Sequence, residues 1–241
     1  MSFSWGRSAS CAPVLALVSA LYCCSKPAPQ SESQPPRNSP PASTPAPDTR
    51  QVLVVFGDSL AAGYGLDPGQ SFPDDLQRKL DAQGYAWRVV NLGISGDTTE
   101  GGVSRMDSAT SLHPGIVIVE LGGNDGLRGL PLEVTRKNLE TMIQTLQNAG
   151  ARVVLAGMTL PPNYGQPYIK GFERIYKELA QQYHLALIPF LLSDIVTSDL
   201  RYLQRDGIHP TADGAEIVSG TVLRAIKPLL VQSENGQSSV R

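Results

Sequence analysis

Four short polar clusters contain residue types that together can perform acyl transfer. They lie at residues 57–60 (Gly-Asp-Ser-Leu), 93–98 (Gly-Ile-Ser-Gly-Asp-Thr), 122–125 (Gly-Gly-Asn-Asp) and 206–210 (Asp-Gly-Ile-His-Pro). A serine hydroxyl is a poor nucleophile at neutral pH and needs a base within hydrogen-bond reach. Asp206 precedes His209 by three residues, a spacing that can set the carboxylate against one imidazole nitrogen and leave the other for Ser59. The pattern therefore predicts Ser59 as nucleophile, His209 as base and Asp206 as the acid that orients it.

The other two histidines fit the role of base less well. His113 precedes Pro114 just ahead of a predicted strand, at the amino end of the sheet, whereas ligands of such sheets bind at the carboxyl end. His184 ends a predicted helix, where a cationic side chain is favoured electrostatically. His209 is therefore the predicted base.

Acyl transfer also needs hydrogen-bond donors where negative charge develops on the substrate oxygen. Gly96 can offer a backbone N–H with no side chain in the way, Asn124 a side-chain amide, and Ser59 its own N–H. We predict that these three form the oxyanion hole. Purely structural roles remain open, since Asp58 and Asp97 could cap helices and Asn124 could satisfy a glycine-rich turn.

Hydrophobic patterning predicts the elements that position these clusters. Continuous apolar runs at residues 52–56, 88–92, 116–121, 153–156 and 185–188 predict strands buried on both faces, as in a parallel sheet. Helical spacing separates them, for example at Leu139, Met142, Ile143 and Leu146, which precede Gly150. Five strands alternating with helices predict a doubly wound α/β domain. Because three of the polar clusters directly follow the first three strands, they should meet in one crevice.

Three of the clusters, at residues 57–60, 122–125 and 206–210, resemble the signature blocks of the SGNH (GDSL) hydrolases, and the similarity runs from about Val52 to Leu230. Within that family, residues 94–98, 119–129 and 160–165 most resemble the bacterial multifunctional acyl-CoA thioesterase, lysophospholipase and arylesterase group. The resemblance implies a three-layer α/β/α domain with a five-stranded parallel sheet, of the flavodoxin-like type.

The resemblance also implies roles for individual residues. It maps the family's nucleophile, acid and base onto Ser59, Asp206 and His209, and its oxyanion donors onto Gly96 and Asn124. A further residue competes with Gly96, because Leu92-Gly93 stands where that group often has an Ala-Ser pair, which makes the N–H of Gly93 a rival donor.

These observations predict a serine esterase or thioesterase that cleaves acyl esters, thioesters or lysophospholipids through an acyl-enzyme, with no metal or cofactor. One alternative is a carbohydrate acetylesterase on the same fold. Another is a non-catalytic surface lipoprotein that binds lipid. Leu160, Ile208 and the Pro161-Pro162 turn indicate an apolar cleft, which favours acyl chains over sugar esters.

The composition excludes several other classes. With 20 Lys+Arg against 22 Asp+Glu, the net charge of −2 offers no basic face for nucleic acid. Neither a Gly-x-x-x-x-Gly-Lys loop nor a Gly-x-Gly-x-x-Gly fingerprint is present, so nucleotide binding is not expected. No apolar run reaches the ~18 residues of a membrane span. All three cysteines lie within the first 24 residues, which excludes a disulfide framework or cysteine-based zinc site in the rest of the chain.

The composition also divides the chain. Residues 1–24 resemble an export signal, residues 25–50 hold eight of the 19 prolines and predict a disordered linker, 51–232 form the hydrolase domain, and 233–241 a polar tail. Leu21-Tyr22-Cys23-Cys24 resembles a lipoprotein box with Cys24 lipidated, while cleavage after Ala20 is the alternative. We expect an exported, periplasmic protein, tethered to a membrane if Cys24 carries lipid.

Overall fold

The structure, a computed structural model, describes residues 48–196 and 200–237, with side chains as far as residue 230. In chain order the elements are β1 (Gln51–Gly57), α1 (Ser59–Ala62), α2 (Phe72–Ala82), β2 (Trp87–Asn91), α3 (Thr99–Ser104), α4 (Met106–Thr110), β3 (Ile116–Glu120), α5 (Gly123–Leu127), α6 (Leu132–Asn148), β4 (Arg152–Ala156), α7 (Gln166–Gln182), β5 (Ala186–Ile188) and α8 (Ala212–Gln237). Short 3₁₀ turns occupy Pro162–Tyr164 and Leu200–Tyr202. The predicted signal segment, nearly all of the predicted linker and residues 238–241 lie outside the described residues, so those expectations stay predictions.

The five strands form one parallel sheet in the order β2-β1-β3-β4-β5. Its two central strands are apolar and covered on both faces, since residues 53–56 of β1 and 116–119 of β3 are fully buried. A strand covered on both faces cannot alternate polar and apolar residues, which is why continuous apolar runs marked these strands in the sequence. The predicted fold class, an α/β domain around a five-stranded parallel sheet, is confirmed.

Helices cover the sheet in two layers and complete the α/β/α arrangement. Helix α2 packs against α8, while α6 packs against α3 and α7. The apolar stripe predicted for α6, at Leu139, Met142, Ile143 and Leu146, is fully buried, and the helix ends at Asn148, ahead of Gly150. Helix α8 continues to Gln237, past the start of the predicted polar tail. None of the described helices combines the length and apolar composition needed to cross a bilayer.

The strand order creates a crevice at the carboxyl end of the sheet. From β1 the chain passes to β2 on one side, and it then returns to β3 on the other side. The connections that leave the neighbouring strands β1 and β3 therefore diverge, and ligands of doubly wound sheets bind where they separate. Ser59 directly follows β1 and Asn124 follows β3, so both lie at this point.

Candidate active site

The structure brings Ser59, His209 and Asp206 into one hydrogen-bonded chain. The Nε2 atom of His209 lies 2.9 Å from Ser59 Oγ, and its Nδ1 atom lies 2.6 Å from Asp206 Oδ2. A carboxylate can only accept a hydrogen bond, so Nδ1 carries the proton and Nε2 is free to accept the serine hydroxyl. In this arrangement the imidazole can remove a proton from Ser59, which is what a serine nucleophile requires.

The loop that carries Asp206 and His209 is held by its own backbone and by Gln204. Asp206 Oδ1 accepts the N–H groups of Ile208 and His209 at 2.9 and 3.0 Å. The Gln204 amide donates to the carbonyl oxygens of Tyr64 and Pro210, which ties the loop to the chain segment after α1. These hydrogen bonds fix the loop and thereby hold the imidazole of His209 next to Ser59.

Asp206 remains ionised over the whole neutral and mildly acidic range. Its partial burial acts to raise the pKa, but the hydrogen bonds from His209 and from the N–H groups of Ile208 and His209 outweigh it and lower the pKa to about 2. Each of these groups donates to the charged form of the carboxyl, and donation to a charged form stabilises it.

Ser59 is the first residue of the short helix α1, and Asp58 caps that helix. Asp58 Oδ1 accepts the N–H of Leu60 at 3.1 Å, so the capping role considered for Asp58 from the sequence is confirmed. The other oxygen, Oδ2, accepts a hydrogen bond from the Asn124 amide at 3.0 Å. Asp58 is nearly inaccessible, with 3% of its surface exposed, and it links the turn after β1 to the turn after β3.

The predicted oxyanion donors differ in how they are engaged. Gly96 and Asn124 both line the cavity beside Ser59. Among the described groups, none accepts a hydrogen bond from the N–H of Ser59 or Gly96. Asn124 donates from Nδ2 to Asp58 Oδ2 and, at 2.9 Å, to the carbonyl oxygen of Asp97. Both amide hydrogens are therefore in use, which residue spacing alone did not indicate.

Gly93, the rival to Gly96, has a different environment. Its N–H donates to Asn91 Oδ1 at 2.9 Å, and it packs so closely on α1 that a Cβ would lie 2.3 Å from the nitrogen of Ala62. Gly96 instead adopts a left-handed conformation with φ of 81°, and its carbonyl oxygen accepts a hydrogen bond from Arg128 at 2.8 Å. Of the two glycines, Gly96 is the one whose N–H is unengaged beside the cavity.

The sequence allowed Asp97 to cap the following helix, but in the structure it does not. Thr98 is the cap, and its side chain accepts the N–H of Gly101. The Asp97 carboxylate instead binds the guanidinium of Arg105 at 2.7 Å. A salt bridge to a cation eight positions away is not marked by local sequence, whereas a cap is, so the local pattern favoured the wrong partner.

A cavity of about 650 Å³ opens beside Ser59 and His209, and its surface is mostly apolar. Apolar side chains make up much of its lining: Leu127, Leu160, Phe190, Leu192, Val196 and Ile208. Tyr64, which is 53% exposed, also lines the cavity, and its ring centroid is 4.6 Å from that of His209. The apolar cleft indicated by Leu160 and Ile208 is thus found, and it can hold a hydrocarbon chain next to the serine hydroxyl.

Sequence reasoning missed several residues around the site. The hydroxyl groups of Tyr164 and Tyr168 donate to the carbonyl oxygens of Leu127 and Leu130, and Leu127 lines the cavity. Glu120 is fully buried at the end of β3. A signal for Glu120 existed, because a carboxyl inside an otherwise apolar strand is costly and needs a reason. For the two tyrosines the sequence contains no such signal.

Within the described ranges, no group of three or more His, Cys, Asp or Glu side chains is arranged to hold a metal ion. The hydrogen-bonded serine, imidazole and carboxylate lie beside the apolar cavity. Fold and site together define an α/β protein equipped to transfer acyl groups.

Comparison with known proteins identifies the family. Residues 55–217 match the GDSL-like Lipase/Acylhydrolase family, and the chain belongs to it. The SGNH (GDSL) resemblance predicted from the signature blocks is therefore confirmed, and the chain is a hydrolase of carboxylic esters.

Individual relatives are similar over most of the folded domain. The chain is 44% identical over 181 residues to Esterase TesA of Pseudomonas aeruginosa, covering 75% of this chain and 90% of that one. It is 41% identical over 161 residues to an Arylesterase of Vibrio mimicus, with 66% and 80% covered. It is 36% identical over 180 residues to Thioesterase 1/protease 1/lysophospholipase L1 of Escherichia coli K12, with 74% and 85% covered. A crystal structure of TesA superposes with a TM-score of 0.71 at 43% identity, covering 74% of this chain and 99% of that one.

Proposed function

We propose that the protein is a serine esterase and thioesterase that hydrolyses acyl esters, acyl thioesters and lysophospholipids through an acyl-enzyme on Ser59. The observation that carries the proposal is the relay from Ser59 Oγ through His209 to Asp206, with links of 2.9 and 2.6 Å, at the edge of an apolar cavity. The names of its relatives, an esterase, an arylesterase and a thioesterase/lysophospholipase, support the same range of substrates.

In the first half of the reaction Ser59 Oγ attacks the carbonyl carbon while His209 Nε2 takes the hydroxyl proton. Asp206 stabilises the resulting imidazolium, since its lowered pKa keeps it charged. The tetrahedral intermediate then collapses, the C–O or C–S bond breaks, and His209 returns the proton to the leaving alcohol or thiol. The acyl group is left as an ester on Ser59.

In the second half a water molecule replaces the leaving group. His209 takes a proton from the water as it attacks the acyl-enzyme carbonyl, and the proton then passes to Ser59 Oγ as the ester bond breaks. The products are a carboxylic acid and the regenerated serine. His209 passes each proton it takes from a nucleophile to the leaving group of the same half-reaction, so the proposed steps are balanced without a metal or cofactor.

The oxyanion is stabilised by the N–H groups of Ser59 and Gly96, which no described group engages, and by the Asn124 amide. To donate to substrate, Asn124 must share or exchange one of its bonds to Asp58 and Asp97. Loss of one such donor typically costs about 2.7–4 kcal/mol of transition-state stabilisation.

The apolar lining supports an acyl-chain substrate over a sugar acetate. A carbohydrate acetylesterase would need polar groups for the sugar, whereas most of the cavity surface is apolar and leucine, phenylalanine, valine and isoleucine side chains contribute to it. We expect p-nitrophenyl octanoate to be turned over with a higher kcat/KM than p-nitrophenyl acetate. A clear preference for acetyl esters would instead favour the acetylesterase.

Ser59→Ala tests the mechanism directly. We expect the variant to lose p-nitrophenyl ester turnover and labelling by a fluorophosphonate probe while its circular dichroism spectrum stays that of the wild type. Ser108→Ala, on the exposed side of α4, is the matched control and should keep both activities. Substantial turnover by Ser59→Ala would refute the proposed nucleophile, and an unlabelled wild type would favour the non-catalytic alternative.

A further inference from the structure

Glu120 lies directly beneath the turn that presents Ser59. It is the last residue of β3, is paired with Gly57 at the end of β1, and has no exposed surface. Its Oε2 atom accepts the N–H of Asp58 at 3.1 Å and the N–H of Ala61 at 3.2 Å. These two N–H groups lie on either side of Ser59 along the chain, so one carboxyl oxygen holds both ends of the nucleophile turn.

The neighbouring glycine leaves the space that this carboxyl occupies. A Cβ atom on Gly57 would lie 2.2 Å from Glu120 Oε2 and 2.8 Å from the Cβ of Ala61. Any side chain at position 57 would therefore displace either the carboxyl or α1. The glycine that precedes Asp58 and Ser59 is required here for close approach, and the group that approaches is Glu120.

The charge state of Glu120 follows from what surrounds it. Burial, and then repulsion from the Asp58 carboxylate, raise the pKa of Glu120 well above its ordinary value. In the described ranges Glu120 forms no ion pair, and its Oε1 atom has no hydrogen-bond partner. Burial also raises the pKa of Asp58, against lowering contributions from its hydrogen bonds and from His209. Tyr176, which is itself fully buried, and Arg105, whose guanidinium binds the Gly57 carbonyl oxygen, also face this region. Two carboxyls in one buried site cannot both ionise at neutral pH, so the Asp58–Glu120 pair retains a proton.

We propose that Glu120 is a positioning residue of this hydrolase, which holds the Ser59 turn from beneath as a neutral carboxylic acid. It touches neither substrate nor the reacting hydroxyl, and acts through the backbone of Asp58 and Ala61. The inference rests on the proposed function, because it concerns the placement of the nucleophile. Glutamine is the closest neutral substitute, since its amide oxygen can accept the same two N–H groups.

The first test compares turnover of p-nitrophenyl octanoate by Glu120→Gln and Glu120→Ala in the full chain. We expect Glu120→Gln to keep kcat within about threefold of the wild type. Glu120→Ala should lower kcat about 10- to 100-fold with a smaller change in KM, because a displacement of about 1 Å at a reacting group can cost 100-fold. If Glu120→Gln is as slow as Glu120→Ala, the proposal that Glu120 acts as a neutral acid is wrong. If Glu120→Ala is as fast as the wild type, the proposal that Glu120 positions the turn is wrong.

A control separates this role from loss of stability. Val119→Ala also removes buried volume from β3 but leaves the turn after β1 untouched. It should lower the melting temperature while preserving kcat, and an equal loss of kcat would reduce Glu120 to a structural residue. Turnover and fluorophosphonate labelling of the wild type are measured in parallel. Their absence contradicts the proposed function itself, whereas effects confined to the Glu120 variants bear on this inference alone.

The second test detects the proton retained by Glu120 from the pH dependence of the free energy of unfolding. In the unfolded chain Glu120 ionises near its ordinary pKa of 4.5, whereas the folded protein keeps the proton above that pH. The folded state therefore binds more protons than the unfolded state, and this term makes the wild type less stable as pH rises. As the pH rises above the ordinary pKa of 4.5, the unfolding equilibrium constant of the wild type divided by that of Glu120→Gln should grow by up to about tenfold per pH unit. A ratio that does not change with pH would contradict the proposal that Glu120 keeps its proton in the folded protein.

Discussion

At the scale of single residues, the side chains around Ser59 restrain one another, because Asp58 and Asn124 each form hydrogen bonds to two neighbours. The Asp58 carboxylate both caps α1 and binds the Asn124 amide, and Asn124 in turn binds the carbonyl oxygen of Asp97. The turns after β1, β2 and β3 are thus joined by one amide and one carboxylate. A substitution at any of these positions should therefore affect more than one of the three turns, and effects within the cluster should not add.

Gly96 provides a residue-scale prediction, because it has a left-handed φ of 81° and a Cβ there would meet only Arg128 Nη2, at an ordinary contact distance of 3.9 Å. Gly96→Ala should strain the backbone by about 1–2 kcal/mol. The strain shifts an N–H group that faces the developing negative charge, so we expect kcat on p-nitrophenyl esters to fall about 10- to 100-fold. Steady-state kinetics and urea denaturation measure the two effects.

Gly84→Ala is the matched control for this substitution. Gly84 has a similar φ of 76°, no neighbouring atoms within 4 Å of a Cβ, and a position at the end of α2 away from the cavity. It should lose a similar free energy of unfolding and retain its kcat. If the two variants have the same kcat, Gly96 supplies no oxyanion donor.

At the scale of elements, Arg105 holds together the carboxyl ends of two neighbouring strands. Its guanidinium donates to the carbonyl oxygens of Gly57 and Leu92 at 2.9 and 2.8 Å, binds Asp97, and lies 4.0 Å above the ring of Phe56. The loop that carries Gly96 is thereby tied to the strand that leads into Ser59. A planar guanidinium can make these bonds at once, and an ammonium group cannot.

Arg105→Lys should therefore weaken both the fold and the reaction. The charge is kept, but at least one of the two carbonyl oxygens loses its hydrogen bond to this side chain in a partly buried site, which should lower the free energy of unfolding by about 1–3 kcal/mol. Movement of the Gly96 loop should lower kcat about tenfold. Urea denaturation and ester kinetics report these changes.

Arg136→Lys tests whether such losses are specific to that position. Arg136 forms a pair with Glu178 at 2.7 Å on the solvent-exposed surface. Pairs of this kind contribute little, so this control should change stability by no more than about 0.5 kcal/mol. Equal effects of the two substitutions would show that Arg105 has no special role at the strand ends.

At the scale of the whole molecule, the parallel sheet brings together groups that are far apart in the chain. Ser59 and His209 are separated by 150 positions, yet their side chains meet at the same edge. Both side chains lie in the part of the chain that the structure describes, whereas residues 1–47 lie outside it. We propose that those residues serve a different purpose, namely export to the periplasm and attachment to a membrane through Cys24.

The attachment hypothesis predicts the behaviour of two adjacent cysteines in a bacterial host. Cys24→Ala should abolish incorporation of radiolabelled palmitate and sensitivity to globomycin, while the released protein keeps its ester turnover. Cys23→Ala is the control and should still be labelled, because alanine is usual before a lipidated cysteine. An unlabelled wild-type protein whose mature chain begins at Leu21 would instead support cleavage after Ala20.

The amino-acid sequence determined the sheet, the family and the serine, histidine and aspartate of the relay, because these depend on local features. Strands buried on both faces must be continuously apolar, and the relay residues lie in short clusters of characteristic composition. Only the tertiary structure decided that the N–H of Gly96 is unengaged, that both hydrogens of the Asn124 amide are in use, and that Glu120 and Arg105 hydrogen-bond to the backbone between β1 and α1. Those facts depend on contacts across 62 positions for Glu120 with Asp58 and 48 for Arg105 with Gly57, which no local pattern encodes.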